Sequence, residues 1–125
     1  MSVATAPVVA LLRRDGAVLA ARHPTGLRLP RGAPQGRERA TDAAIRVLHE
    51  EAGLFARAVR VRGRVPGLGW PMVEMAAGPL PEAWTHHGTG GGSGTVKMLW
   101  HPLDAPPRGF GAPDRRILAA LARWA

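Results

Sequence analysis

Cysteine is absent from the 125 residues, so neither a disulfide nor a thiolate metal site can form. Lysine is almost absent: of the seventeen basic side chains, only Lys97 is not arginine. No long apolar run is present either. The N-terminal MSVATAPVVALLRR carries an apolar stretch of about ten residues with no positive segment before it, which fits neither a secretory signal nor a membrane span. A strand is expected there, with a cytoplasmic location and no membrane partner. The sequence also lacks a basic helix and a strand that interleaves aromatic with basic residues, so nucleic acid is not an expected partner. The run Gly88 to Gly94 has no Lys-Ser/Thr after it and no Gly-x-Gly-x-x-Gly spacing, which rules out the common phosphate-binding loops. His49-Glu50-Glu51-Ala52-Gly53 lacks the second histidine of the zinc-protease spacing.

What remains is a basic chain, with a formal net charge of +8. Charge of one sign around a cleft concentrates ligands of the other, which suits a nucleotide or polyphosphate. The abundance of Arg, Ala, Gly and Pro equally fits a compositional bias. The length suits a single domain over residues 1–125, and nothing in the sequence sets an oligomeric state.

Val8 to Leu12 and Ala17 to Ala21 are apolar runs of strand length on either side of Arg13-Arg14-Asp15-Gly16, which predicts a β-hairpin. Arg22 to Arg39 is rich in Gly, Pro and Arg and is expected to be a loop. A helix of about three turns should follow, with Thr41 or Asp42 as cap and Gly53 as terminator. At 100° per residue, Ala44, Ile45, Leu48 and Ala52 form its apolar stripe. Glu51 borders that stripe and Glu50 lies further round. Val47 falls between the two glutamates and also widens the stripe.

Ala58 to Val65 alternates as a half-buried strand, with Val59 and Val61 on one face and Arg60, Arg62 and Arg64 on the other. Met72 to Ala76 and Val96 to His101 read as strands. Asp114 to Trp124 reads as a closing helix with Ile117, Leu118, Leu121 and Trp124 apolar. Gly78 to Thr95 is expected to be a hairpin tip or flap, because glycine is costly to order. This order of elements suggests an α/β/α sandwich around a mixed β-sheet, of the α/β (α+β) class.

The most specific pattern runs from Gly32 to Leu54, GAPQGRERATDAAIRVLHEEAGL. Gly32, Glu38, Arg46, Leu48, Glu50, Glu51, Gly53 and Leu54 fall in the register of the Nudix box, a loop-helix-loop motif. Leu29-Pro30-Arg31-Gly32 resembles the approach to that box. The chain therefore resembles the Nudix hydrolases, of the MutT-like kind, over nearly its whole length. The box is degenerate, since Val47 stands where the family carries the first glutamate of its Arg-Glu-x-x-Glu-Glu segment.

The resemblance implies hydrolysis of pyrophosphate in nucleoside diphosphate-linked compounds, with Mg²⁺ or Mn²⁺ as cofactor. It implies Glu50 and Glu51 as the metal-facing pair, the Gly32 carbonyl as a further ligand, and Glu38 as either a ligand or a partner that orients Arg46. Arg46 precedes Glu50 by four residues, so a helical ion pair is open to them. The position of Val47 supplies a metal ligand or the base in many family members. Losing a general base costs about 10²- to 10⁴-fold in rate. A base relocated to Glu82, His86 or His87, with Glu74 nearby, would compensate. Arg28, Arg31 and Arg37 are candidates for holding phosphates, since arginine does so through paired hydrogen bonds. Trp70 and Trp84 are candidates for stacking a base or, equally, for plugging a core edge. Two functions follow: a slow or rewired pyrophosphohydrolase, or a Nudix-fold module that binds a nucleotide or a protein without turnover.

Overall fold

Asp15 and Gly16 both take positive φ, 48° and 77°, the conformation a two-residue hairpin requires. They join β1 (Val8–Arg14) to β2 (Ala17–His23), with Arg14 opposite Ala17. The structure is a computed structural model that describes residues 6–87 and 95–124, so the glycine run Gly88–Gly94 lies outside the described residues. The other elements are β3 (Gly26–Arg28), β4 (Arg31–Gly32), α1 (Ala40–Ala52), β5 (Arg57–Arg64), β6 (Pro71–Ala76), β7 (Ala83–His87), β8 (Thr95–Pro102) and α2 (Ala112–Leu121).

The main sheet has the order β5-β6-β1-β2-β8-β7, with β3 added to β2 and β4 to β1. β1 and β6 run parallel while the other pairs are antiparallel, which makes the sheet mixed. The two-residue period of a strand sorts the buried side chains into two cores. Val8, Ala10, Leu12, Leu19 and Ala21 pack under α1. Val9, Leu11, Val18 and Ala20 pack with α2 on the other side. The expected α/β/α sandwich is thus built by alternation in one central hairpin.

Several local expectations need correction. The Arg22–Arg39 loop contains β3 and β4, and the Gly78–Thr95 segment contains β7. Flanking proline and glycine hide the short alternation Trp84, His86 in the sequence. On α1 the buried residues are Ala43, Ala44, Val47, Leu48 and Ala52, whereas Ile45 is 38% exposed. The helix docks through its small side chains, which turns Ile45 outward and Val47 into the core. Arg39, rather than Thr41 or Asp42, is the N-cap residue, and Asp42 accepts a hydrogen bond from its backbone N–H at 3.2 Å. Gly53 ends the helix as expected, at φ 71°.

β5 departs furthest from its pattern. Val59 and Val61 are 45% and 48% exposed rather than half-buried against the core. This is an edge strand, and its pairing with β6 is irregular between Ala58 and Arg60 and again between Val61 and Arg64. Such irregularities break alternation and twist an edge away from further pairing. Arg60 and Arg62 meet Glu74 on β6, at 3.5 and 2.8 Å.

One buried carboxylate joins the approach to α1 with the opposite helix. Asp114 on α2 accepts the Leu29 backbone N–H at 2.9 Å and pairs with the Arg31 guanidinium. Removing it leaves a buried cation and a buried N–H without partners, which is expensive at low dielectric. Asp114→Ala is expected to cost about 3 kcal/mol or more in urea unfolding. The exposed Arg14–Glu82 pair provides the contrast, and Glu82→Ala is expected to change stability by about 0.5 kcal/mol or less.

Candidate functional site

Arg46 projects from the middle of α1 and gathers the loop before the helix onto it. Its Nε donates to Glu38 Oε2 at 3.0 Å, and its Nη2 donates to the Ala33 carbonyl at 2.8 Å. Its Nη1 donates to Glu50 Oε2 at 3.3 Å, the four-residue helical pair expected from the sequence. Glu38 also accepts the Gln35 backbone N–H at 2.8 Å. These bonds favour the ionised carboxylate, so the Arg46 hydrogen bond, followed by that from Gln35, holds Glu38 below the usual glutamate range. Arg46 is raised in turn, chiefly by Glu38. Both directions describe one charge-assisted clamp.

Glu51 lies on the sheet side of α1, with its side chain only 18% exposed, and its Oε1 is 3.3 Å from His23 Nε2. His23 ends β2 and was not among the residues that the sequence pattern singles out. Its signal is the register of β2: continuing the pairing Arg22↔Lys97 by one residue sets His23 beside Val96, which faces His86 on β7. A His23–Val96–His86 row therefore crosses the sheet, its two histidines roughly 10 Å apart at ordinary strand spacing. The C-terminal end of α1 sits over this row, Glu51 on His23 and Gly53 against the His86 ring.

The site does not form a continuous acidic face. Val47 is 4% exposed and belongs to the apolar cluster under α1. A Cβ on Gly32 would stand 2.9 Å from Val47 Cγ2, so strand β4 and helix α1 meet here at the distance glycine permits.

The remaining candidates fall into separate places. His86 faces α1 and has a buried Nε2 with no hydrogen-bond partner. His87 points the other way, with its ring nitrogens 3.2 and 3.3 Å from Thr95 Oγ1. Glu82 is 93% exposed, pairs with Arg14, and lies four residues before His86, roughly 13 Å along the strand direction. Glu74 faces the α2 side with Arg60 and Arg62. Burial works to raise its pKa but is outweighed by the Arg62 and Arg60 contacts, which lower it.

Arg28 and Arg37 are exposed. Arg31 is instead committed to Asp114 and lies 5.3 Å from the Trp70 ring centroid. Trp70 packs with the α2-side core, and Trp84 donates its Nε1–H to the Ala52 carbonyl at 2.9 Å. For the two tryptophans this is the core-edge alternative read from the sequence, whereas the duty of Arg31 was not suggested there.

Among the described residues, no group of three or more His, Asp or Glu side chains is placed to hold a metal ion. With Glu38 committed to Arg46, Glu50 and Glu51 remain. Each has one oxygen engaged, and Glu50 Oε1 and Glu51 Oε2 have no hydrogen-bond partner among the described residues. Two open carboxylates do not make a closed cage, but they fit a magnesium or manganese ion that keeps water and takes substrate oxygens.

Two measurements check this geometry. Because the folded-state pKa of Glu38 is depressed, its stabilisation is present above about pH 4.3 and is lost as pH falls through the lower folded value. Glu38→Gln is expected to lower stability at pH 7 and to flatten the loss below about pH 4.3 in denaturant titrations. Val47→Glu places a carboxylate in the apolar cluster and is expected to cost about 2 kcal/mol in chelator, read as a lower urea midpoint.

Solved structures with the same fold include an ADP-ribose pyrophosphatase from Streptococcus suis, at 19% identity and TM-score 0.62 over 94% of this chain and 91% of that one. A UDP-X diphosphatase aligns at 13% identity and TM-score 0.61, over 98% of this chain and 66% of the other. A MutT NUDIX hydrolase from Burkholderia pseudomallei aligns at 21% identity and TM-score 0.57, over 92% and 95%. No curated protein sequence matches. No helix among the described residues is long and apolar enough to cross a membrane. The NUDIX domain model matches residues 1–121, so with its box helix, mixed sheet and flanking helices the chain belongs to the Nudix family.

Proposed function

We propose that this chain is a divalent-metal-dependent hydrolase of nucleoside diphosphate-linked pyrophosphates, using Mg²⁺ or Mn²⁺ at Glu50 and Glu51. The observation that carries this reading is the survival of two open carboxylates on a helix clamped by Arg46 to the Gly32–Glu38 loop. Two structural neighbours are named for diphosphate cleavage of nucleotide compounds. A bound divalent ion would supply charge neutralisation at the phosphates and a more acidic water.

The chain's own residues supply position and charge. Arg46 fixes Glu50 through one oxygen and leaves the other open. Arg28 and Arg37, exposed and without an ion pair among the described residues, are suited to the phosphates. Val47 cannot accept a proton. Of the three alternative bases, His86 is the one on the α1 face, beside the C-terminal end of the helix and with an uncommitted ring nitrogen. Glu82 and His87 have other partners and other directions.

A second reading, a nucleotide-binding module without turnover, is favoured by the burial of Val47, which removes a carboxylate where many family members use one. Phosphate release from nucleoside triphosphates, ADP-ribose, sugar nucleotides and dinucleoside polyphosphates, with Mg²⁺ or Mn²⁺ and a coupled phosphatase, separates the two. The hydrolase reading expects turnover that Glu51→Gln abolishes and that His86→Asn lowers by about 10²- to 10⁴-fold. Nucleotide binding without turnover, with activity appearing only in a folded Val47→Glu variant, would establish the binding module.

A further inference from the structure

Glu50 and Glu51 are each secured by one oxygen from a different element. Glu50 takes its donor from Arg46 on the same helix. Glu51 takes its contact from His23, 28 residues earlier in the chain, at the end of β2. Both partners of the second pair are largely buried, with side chains 25% and 18% exposed. Water therefore competes weakly for the bond, and the contact restrains both side chains.

The backbone of His23 is itself fixed. It pairs with Gly26 across a two-residue turn, Pro24-Thr25, between β2 and β3. Gly26 adopts φ 132°, a Cβ there would lie 2.8 Å from the Gly109 carbonyl oxygen, and the next residue, Leu27, donates its N–H to that same oxygen at 2.9 Å. Only glycine fits so close an approach, so the hairpin that ends in His23 is pinned to the loop before α2.

We propose that His23 is the positioning residue of Glu51: its Nε2–H donates to Oε1, fixes the carboxylate and leaves Oε2 to the divalent ion. This rests on the metal-dependent reading above. A neutral imidazole in the Nε2–H tautomer suffices for the bond. The role matters more in this chain than in one with three helix carboxylates, because Val47 leaves only Glu50 and Glu51 open. Groups that orient a ligating side chain typically contribute 10- to 100-fold in metal affinity.

The test is Mn²⁺ binding to the full chain, read without nucleotide from the electron paramagnetic resonance signal of the free ion. Wild type, His23→Ala, His23→Gln, Glu51→Gln and the double variant His23→Ala/Glu51→Gln are compared. His23→Ala is expected to weaken Mn²⁺ by about 10- to 100-fold. His23→Gln, whose amide N–H reaches the same position, is expected to recover most of that loss. The double variant is expected to bind no more weakly than Glu51→Gln alone, because His23 acts through Glu51.

His23→Ala with wild-type affinity, beside a Glu51→Gln variant that has lost it, overturns the proposal and leaves the hydrolase reading intact. Fully additive losses overturn it too, since His23 would then act independently of Glu51. Absence of Mn²⁺ binding by the wild type removes both the proposal and the metal-dependent reading. If His23→Ala fails to fold, His23→Phe, ring-sized and without a donor, replaces it and must show the same loss against His23→Gln.

Discussion

The Arg46 guanidinium is the contact on which the candidate site depends. It joins three things that the chain delivers separately: the Ala33 carbonyl just after β4, the Glu38 carboxylate in the loop, and Glu50 one helical turn along α1. Without this clamp the loop between Gly32 and Ala40 would be tied to the helix mainly through the Arg39–Asp42 cap, since the Gln35–Glu38 bond lies within the loop. A planar guanidinium can satisfy several acceptors at fixed angles, which a lysine ammonium cannot match. The same contact explains why Glu38, in register with the family pattern, serves as a structural carboxylate in this arrangement.

Val47 changes the character of the site beyond the loss of one charge. It fills the space between α1 and Gly32, so that its methyl group closes the region where a carboxylate would otherwise stand. The helix gains apolar burial there, and around its axis Val47 falls between positions 50 and 51. Glu50 is secured from its own helix and Glu51 from the sheet, through His23. In the proposed metal-dependent reading, this pair is a sparse donor set that depends on neighbours to hold it in shape.

Much of the fold was legible in the sequence because it follows from local chemistry. Asp15-Gly16 marked the central hairpin, the apolar runs Val8–Leu12 and Ala17–Ala21 marked its two strands, and Gly53 marked the end of the helix. What could not be read depends on tertiary packing. Ile45 matches the helical period but faces solvent, since α1 sits closest to the sheet where its side chains are small. Val59 and Val61 alternate correctly in a strand whose pairing irregularities and edge position undo the inference. The box glutamates stood out through their register with the family's box. His23 did not, because its partner is 28 residues away and only the strand register brings the two together. Arg31 looked available at the entry to the box, and Asp114 claims it.

Locating the divalent ion tests most directly whether this two-carboxylate arrangement is a working centre. Crystals grown with Mn²⁺ and a non-hydrolysable nucleoside diphosphate analogue, measured at the manganese absorption edge, would show the ion by its anomalous scattering. The expected result is a peak bridging the analogue's phosphates to Glu50 or Glu51, with Arg46 still on Glu38. A nucleotide bound without an ion at these carboxylates, or an ion held elsewhere on the surface, would contradict it.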